Sequence, residues 1–267
     1  MTVQDFVKFL ENFAPPGLAE EWDNTGLLVG TRSASVEKAI TCLTLTPDVA
    51  EEAIQQEAQL IVSHHPVLFR PVQRLTDATA EGRMLLDLIA AGVAVYSPHT
   101  SFDSASAGIN QQLAEQLRLT EIAPIRPTLE EGELSGLGSG RWGRLRESET
   151  LAQSLSRVRT SLKVPHLQYV GELDQPVSQI AVACGSAAEF LREAERLGCD
   201  LFITGEARFH SFLEARSLGL PMVILGHYAS ERPAVEQLAK VLQAEFPAAE
   251  VWASRVERDP VQWSLEQ

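Results

Sequence analysis

Leu60-Ile61-Val62-Ser63-His64-His65-Pro66 is a short, β-branched apolar run that ends in two histidines and a proline. It reads as a buried strand, and Pro66 forbids its continuation. The residues before it, from Glu52, carry a helical pattern, so a helix feeds this strand. Helix followed by buried strand is the signature of an α/β fold, in which ligand sites collect at strand ends. Successive strand side chains point to opposite faces, but a turn at Pro66 can swing both imidazoles toward one place. Two neutral imidazoles at one point bind borderline divalent metals.

The second half of the chain repeats this design. Residues 52 to 66 read EAIQQEAQLIVSHHP, and residues 193 to 207 read EAERLGCDLFITGEA. Upstream, Ala39–Leu43 is answered by Gln179–Ala183, each a strand leading into the helix. Downstream, Gly92–Tyr96 is answered by Gly219–Ile224. Each of these last strands runs into a histidine with a carboxylate four residues later: His99 and Asp103, then His227 and Glu231. Two β-α-β-helix-β units related by duplication are expected.

Residues four apart on a helical turn share a face and can share a ligand. His64, His65, Asp103, His227 and Glu231 together supply three nitrogens and two carboxylates. A single catalytic zinc takes three protein ligands plus water. The larger set suits two metals about 3.5–4 Å apart, with a carboxylate and a water between them. His99 is either a further ligand or a group that orients one. The alternative for His99-x-x-x-Asp103 is a plain helix N-terminus capped by Ser101 or Asp103.

The segments Glu21–Gly30 (EWDNTGLLVG), Ser63–Pro66 (SHHP), His99–Asp103 (HTSFD) and Gly226–Glu231 (GHYASE), in this order, resemble the NGG1-interacting-factor-3-like proteins. These are also labelled homologues of type 2 GTP cyclohydrolase I. The resemblance covers essentially the whole chain. It implies an α/β fold of two intertwined, duplicated domains with mixed sheets flanked by helices. It also implies a dinuclear metal centre and assembly as a toroidal homohexamer. By motif, the metal ligands are His64, His65, Asp103, His227 and Glu231, with His99 close by. Two divalent ions per chain are expected, and mixed nitrogen and oxygen ligands admit Zn, Mn, Fe, Ni or Co.

Composition sets outer limits. The chain has 267 residues, long enough for a sizeable core and for one or two domains. Hydrophobic residues make up 45% and charged residues 22%, ordinary values for a water-exposed globular chain. A formal net charge of −14 argues against a broad nucleic-acid footprint, which needs a basic stripe. It leaves room for an anionic small substrate, because bound cations reverse the sign locally. Cys42, Cys184 and Cys199 form no C-x-x-C pair and read as buried thiols, as in a reducing cytoplasm. No run approaches the roughly 20 apolar residues that span a membrane. At the N-terminus, Asp5 and Glu11 interrupt any signal-like apolar stretch. Thr2 to Asp5 reads instead as a capping box opening a helix that Pro15-Pro16-Gly17 stops.

Two loops carry further expectations. Trp22-Asp23-Asn24-Thr25-Gly26 is a turn into a strand. Trp22 closes the core or packs over the site, and Asp23 is a candidate hydrogen-bond partner for a ligand histidine. Residues 121 to 150 contain Glu130, Glu131 and Glu133, then Gly136, Gly138, Gly140 and Gly143. Without a clear strand before them or a helix at the last glycine, these are a poor nucleotide fingerprint. A loop and hairpin are expected, with Thr150 capping a helix over 151–162 and a strand at Tyr169-Val170-Gly171. The expected domains are 1–123 plus 216–267, holding the metal site, and an inserted 124–215.

Glu206, Arg208 and His210 follow the strand that answers the His-His run. They are candidate substrate contacts at the site's mouth, or members of a solvated loop. The first reading is a metal-dependent hydrolase acting on a nucleotide or another cyclic C–N compound, with ring opening of GTP and release of formate as its most specific form. His99 or His210 would move the proton, and Arg70, Arg74, Arg141 and Arg208 are candidates for phosphate contact. The alternatives are a phosphoester hydrolase using the same two metals, and a non-catalytic metal-handling or regulatory protein.

Overall fold

The structure is a computed structural model and describes residues 1–130 and 133–264. Of the acidic run near residue 130, Glu131 and the side chains of Glu130 and Glu133 lie outside what is described. The chain divides into two compact units. The first comprises Met1–Asn12, Glu20–His99 and the chain from Val235; the second comprises Phe13–Ala19 and Thr100–Ala234.

The first unit runs α1 (Val3–Phe13), β1 (Gly26–Val29), β2 (Lys38–Cys42), α2 (Pro47–Gln55), β3 (Leu60–Ser63), α3 (Ala80–Ala90) and β4 (Ala94–Ser97). Its sheet has the order β1-β4-β3-β2-β13, with β13 spanning Glu250–Ala253. β4, β3, β2 and β13 are parallel, and β1 closes one edge antiparallel to β4. The apolar strands β3 and β4 are buried along their whole length, as central parallel strands must be. Ile40, Ile61 and Val95 of the sheet pack with Val49, Ala53, Met84 and Leu88 of α2 and α3. At α1 the Asp5 carboxylate reaches back to the Thr2 N–H at 2.8 Å, the acidic half of a capping box.

The second unit contains α4 (His99–Ser104, from its second residue), α5 (Ile109–Gln116), β5 (Thr120–Ala123), β6 (Arg126–Glu130), β7 (Glu133–Ser139), β8 (Arg141–Thr150), α6 (Leu151–Leu162), β9 (Gln168–Val170), β10 (Pro176–Ala183), α7 (Leu191–Arg196), β11 (Leu201–Thr204), α8 (Phe209–Leu218) and β12 (Met222–Ile224). Its main sheet has the order β5-β8-β10-β11-β12-β9, and β6 and β7 form a separate antiparallel hairpin. β10, β11 and β12 are parallel. β9 lies antiparallel on β12, just as β1 lies on β4. Thr150 makes a full capping box with Gln153 at the start of α6. Phe190, Leu191, Phe202 and Met222 form the centre of this unit's core. The final helix α9 (His227–Glu245) starts in this unit, and the division falls inside it.

The duplication is therefore larger than the sequence pattern indicates. The series α1-β1-β2-α2-β3-α3-β4 is matched in order and strand direction by α6-β9-β10-α7-β11-α8-β12. The divisions also differ from those expected at 123/124 and 215/216. Residues 100–123 include β5, which pairs with β8, and residues 216–234 include β12, which pairs with β11. Hydrogen bonding to the second sheet keeps both stretches in the second unit, and the chain leaves it only after Ala234.

Candidate metal centre

In the first unit the two histidines continue the parallel ladder beyond β3. The His64 N–H donates to Cys42 O and the His65 N–H to Leu43 O, both at 2.9 Å. The Ser97 hydroxyl donates to His64 O at 2.7 Å, and the Ser63 hydroxyl to His65 O at 2.8 Å. With the backbone fixed this way, the two rings lie 5.0 Å apart between centroids. The His99 ring joins them, 5.2 Å from His64 and 5.6 Å from His65. One ring nitrogen from each of the three lies within 4.8 Å of the others. His64 is buried, and the other two are half-buried.

Two of these rings are oriented from behind. His65 Nδ1 lies 2.7 Å from the Thr44 hydroxyl. The backbone N–H of Thr44 in turn donates to Glu257 Oε1 at 2.7 Å, and that of Leu43 to Glu257 Oε2 at 2.9 Å. His99 Nδ1 lies 2.7 Å from Asp23 Oδ1, and the Asp23 side chain is fully covered. With Nδ1 engaged, Nε2 is the nitrogen that His65 and His99 can offer a cation. An imidazole braced through one nitrogen by a carboxylate or hydroxyl is the usual arrangement of a metal-ligating histidine.

His99 also holds an unusual backbone, with φ of +31°. Residues other than glycine seldom adopt positive φ, and such strain gathers at functional positions. Strand register explains the position. Val62 pairs with Tyr96 in the first sheet, and Ile203 with Val223 in the second. Counting on three residues brings His99 opposite Gly226, whose φ is +94°. The two His-x-x-x-acid pairs thus match with an offset of one, and His99 holds its imidazole where the other copy has glycine.

In the second unit the acidic residues gather around the end of β10. The Cys184 thiol donates to Asp103 Oδ1 at 3.1 Å, and the Cys184 N–H to Asn110 Oδ1 at 2.8 Å. The Asn110 amide donates to Asp103 O at 3.1 Å, closing the triangle. Burial, followed by the Asp103 and Glu231 carboxylates, pushes the Cys184 thiol well above its ordinary pKa, so it stays protonated. On the first turn of α9, His227 Nε2 lies 3.1 Å from Glu231 Oε2, and Nδ1 lies 3.3 Å from Glu206 Oε1. The Glu231 bond first, against burial and with help from Glu206, raises the His227 pKa to about 9. Glu231 is buried.

Glycine makes room for this group. Gly185 has φ of +64°, and a Cβ there would sit 2.4 Å from Glu231 Oε1. A Cβ on Gly205 would meet Gly185 O at 2.6 Å and Ser230 Oγ at 2.7 Å. Ser230 Oγ accepts from the Gly185 N–H at 3.0 Å and donates to His227 O at 2.7 Å, which locks the turn to the helix.

The candidate ligands therefore fall into two clusters: His64, His65 and His99 in the first unit, and Asp103, His227 and Glu231 in the second. Their nitrogen and oxygen donors fit a borderline divalent metal. Glu206 reaches His227, although it is exposed. Arg208 and His210 are exposed at the start of α8, where the His210 ring faces Phe209; neither joins a ligand cluster. Arg141, a candidate for phosphate contact, is wholly buried and donates to the carbonyls of Gly136, Gly138, Gly140, Ser104 and Ala105. It braces the end of α4. Trp22 is 61% exposed and meets the His99 ring edge-on, so it lies beside His99 and outside the core. The three cysteines are buried and in no disulfide. Thr44, Glu257, Asn110, Cys184 and Gly185 carry no chemical signature in the sequence and emerge only from the fold. Among the described residues, no helix is long and apolar enough to cross a membrane.

Comparison with known proteins adds a family. The model of the Duf34/NIF3 (NGG1p interacting factor 3) family matches residues 1–260. A Clostridium acetobutylicum protein named GTP cyclohydrolase 1 type 2 homolog is 33% identical over 243 residues, covering 91% of this chain and 90% of its own. The Drosophila melanogaster NIF3-like protein 1 is 35% identical over 260 residues, covering 96% and 87%. The crystal structure of Staphylococcus aureus protein SA1388 superposes with a TM-score of 0.89 at 26% identity, over 99% of each chain.

Proposed function

This chain belongs to the Duf34/NIF3 family, and on that premise we propose that it is a dinuclear metal-binding protein that hydrolyses a nucleotide-like substrate. Two divalent ions per chain are held by His64, His65, Asp103, His227 and Glu231, with His99 beside them as a further ligand or an orienting group. The observation that carries the reading is the triple imidazole cluster, in which Asp23 and Thr44 brace two of the rings. Relatives named as GTP cyclohydrolase 1 type 2 homologs support ring opening of a GTP-like compound as the reaction to test first.

Bound divalent ions would supply Lewis acidity and lower the pKa of water toward neutrality. The chain's own residues do the rest. The Asp23 carboxylate keeps the His99 proton on Nδ1, and Thr44 orients the His65 ring. The Cys184 thiol holds the Asp103 carboxylate, and the Asn110 amide holds its backbone carbonyl. Glu206 lies against His227 at an exposed position, where it is a candidate substrate contact. Arg208 and His210, exposed on the same segment, remain candidates for substrate contact and proton transfer.

The test is a panel of nucleotides, GTP first, offered to metal-loaded protein with formate and inorganic phosphate measured separately. Formate release abolished by Asp103→Ala supports ring opening. Phosphate release without formate makes the protein a phosphoester hydrolase. No turnover in metal-loaded protein leaves a metal-handling or regulatory role.

A further inference from the structure

Two large aromatic side chains stand in solvent beside the imidazoles of the first unit. Trp22 is 61% exposed and Phe69 is 47% exposed. Their rings are 5.9 Å apart at an interplanar angle of 67°. Each also meets His99: Trp22 at 6.1 Å and 75°, Phe69 at 6.2 Å and 87°. Three rings in three steeply inclined planes make an open corner. A flat ring laid on one face meets the other two edge-on, and stacked and edge-to-face contacts are the favoured aromatic geometries.

The corner is held in shape. Asp23, next to Trp22, bonds His99 at 2.7 Å. Asn24 donates from its side chain to Leu68 O at 2.6 Å, which ties the Trp22 turn to the loop carrying Phe69. The turn that carries Trp22 thus positions His99 through Asp23 and holds the Phe69 loop through Asn24.

We propose that Trp22 and Phe69 form a stacking subsite for the planar heteroaromatic ring of a neutral or anionic ligand, next to His99. This rests on the proposed metal site, since the ring's value there is to bring a reacting atom to the histidines. An aromatic corner can also receive a quaternary ammonium ion. Arg70 and Arg74 on the Phe69 loop, and any cation at the histidines, disfavour a positive ligand. A second copy of the chain covering the patch is the other occupant the test must separate.

The experiment is calorimetric titration of metal-loaded protein with guanosine monophosphate, ribose 5-phosphate and tetramethylammonium. It is repeated for Trp22→Ala, Phe69→Ala and Trp22→Phe, with metal content and oligomeric state measured on each preparation. Both side chains are exposed, so the variants fold. The expected result is binding of guanosine monophosphate well above ribose 5-phosphate. Loss of about tenfold in affinity is expected in each alanine variant, with recovery in Trp22→Phe at unchanged metal content. Equal binding of the two phosphates, no binding of guanosine monophosphate at millimolar concentration, preference for tetramethylammonium, or dissociation of an oligomer by the alanine variants would each overturn the subsite. Absence of metal in the wild type would instead sink the metal reading, while the titration still reads the stacking.

Discussion

The Asp23 carboxylate and the His99 imidazole meet at 2.7 Å although 76 residues separate them in the chain. The contact fixes which nitrogen of His99 faces the other two rings. Removing such a brace usually costs about 10- to 100-fold in metal affinity. Asp23→Asn should therefore weaken metal binding by that order without changing the fold. Competition with a fluorescent chelator, alongside circular dichroism, checks it. Unaltered affinity would make the contact incidental.

Gly185 should not tolerate a side chain. Its φ of +64° disfavours one, and a Cβ would fall 2.4 Å from Glu231 Oε1. Gly185→Ala should cost about 2 kcal/mol of stability and displace the Glu231 carboxylate. The readouts are urea unfolding of the metal-free protein and metal content after reloading. A variant with wild-type stability and metal content would mean that the turn relaxes freely.

Metal uptake should be linked to protons. The His227 pKa lies at about 9 in the metal-free fold, against 6.5 when unperturbed, chiefly through Glu231. Because the folded value is raised, this group stabilises the metal-free fold fully below pH 6.5. That contribution fades as pH climbs through about 9. A cation at His227 must displace its proton, so metal affinity should strengthen with pH over the same window. Calorimetry at pH 7.5 in buffers of different ionisation enthalpy should detect proton release on metal binding. Uptake of protons, or none exchanged, would place the metal away from His227.

Arg141 should matter for stability and not for phosphate. Its guanidinium donates to five backbone carbonyls and to Gln111 Oε1. Arg141→Met should cost about 3 kcal/mol by leaving buried carbonyls without donors. Burial lowers its pKa to about 10, so it stays charged at neutral pH. A change under 0.5 kcal/mol in urea unfolding would contradict this.

Much of this molecule is legible in the sequence, for identifiable reasons. Short apolar runs bounded by Gly and Pro gave β3, β4, β11 and β12, because central parallel strands are buried on both faces. Thr150 marks the start of α6 in the sequence, since capping is local chemistry, and the structure adds Gln153 to the cap. The duplication was visible in the same runs. The offset between His99 and Gly226 was not, because positive φ leaves no mark on a histidine. The unit boundaries are not legible in the sequence, because β12 looks alike whichever sheet receives it; only its pairing with β11 decides. The candidate ligands could be named because histidine and carboxylate carry their chemistry in their names. Their supports, Thr44 and Cys184, could not, since a threonine or cysteine after a strand has many ordinary uses. Trp22 could be read as core or as wall, and its exposure settled it.

The central claim is the metal centre, and its most direct test is elemental analysis of metal per chain. Protein should be purified without chelator or affinity metal, then measured as isolated and after reloading with Zn, Mn and Fe. The account predicts about two ions per chain, with occupancy falling in His65→Ala and in Glu231→Ala, one variant from each cluster. No metal above background in any condition would contradict it and leave a duplicated α/β protein whose histidines serve another purpose.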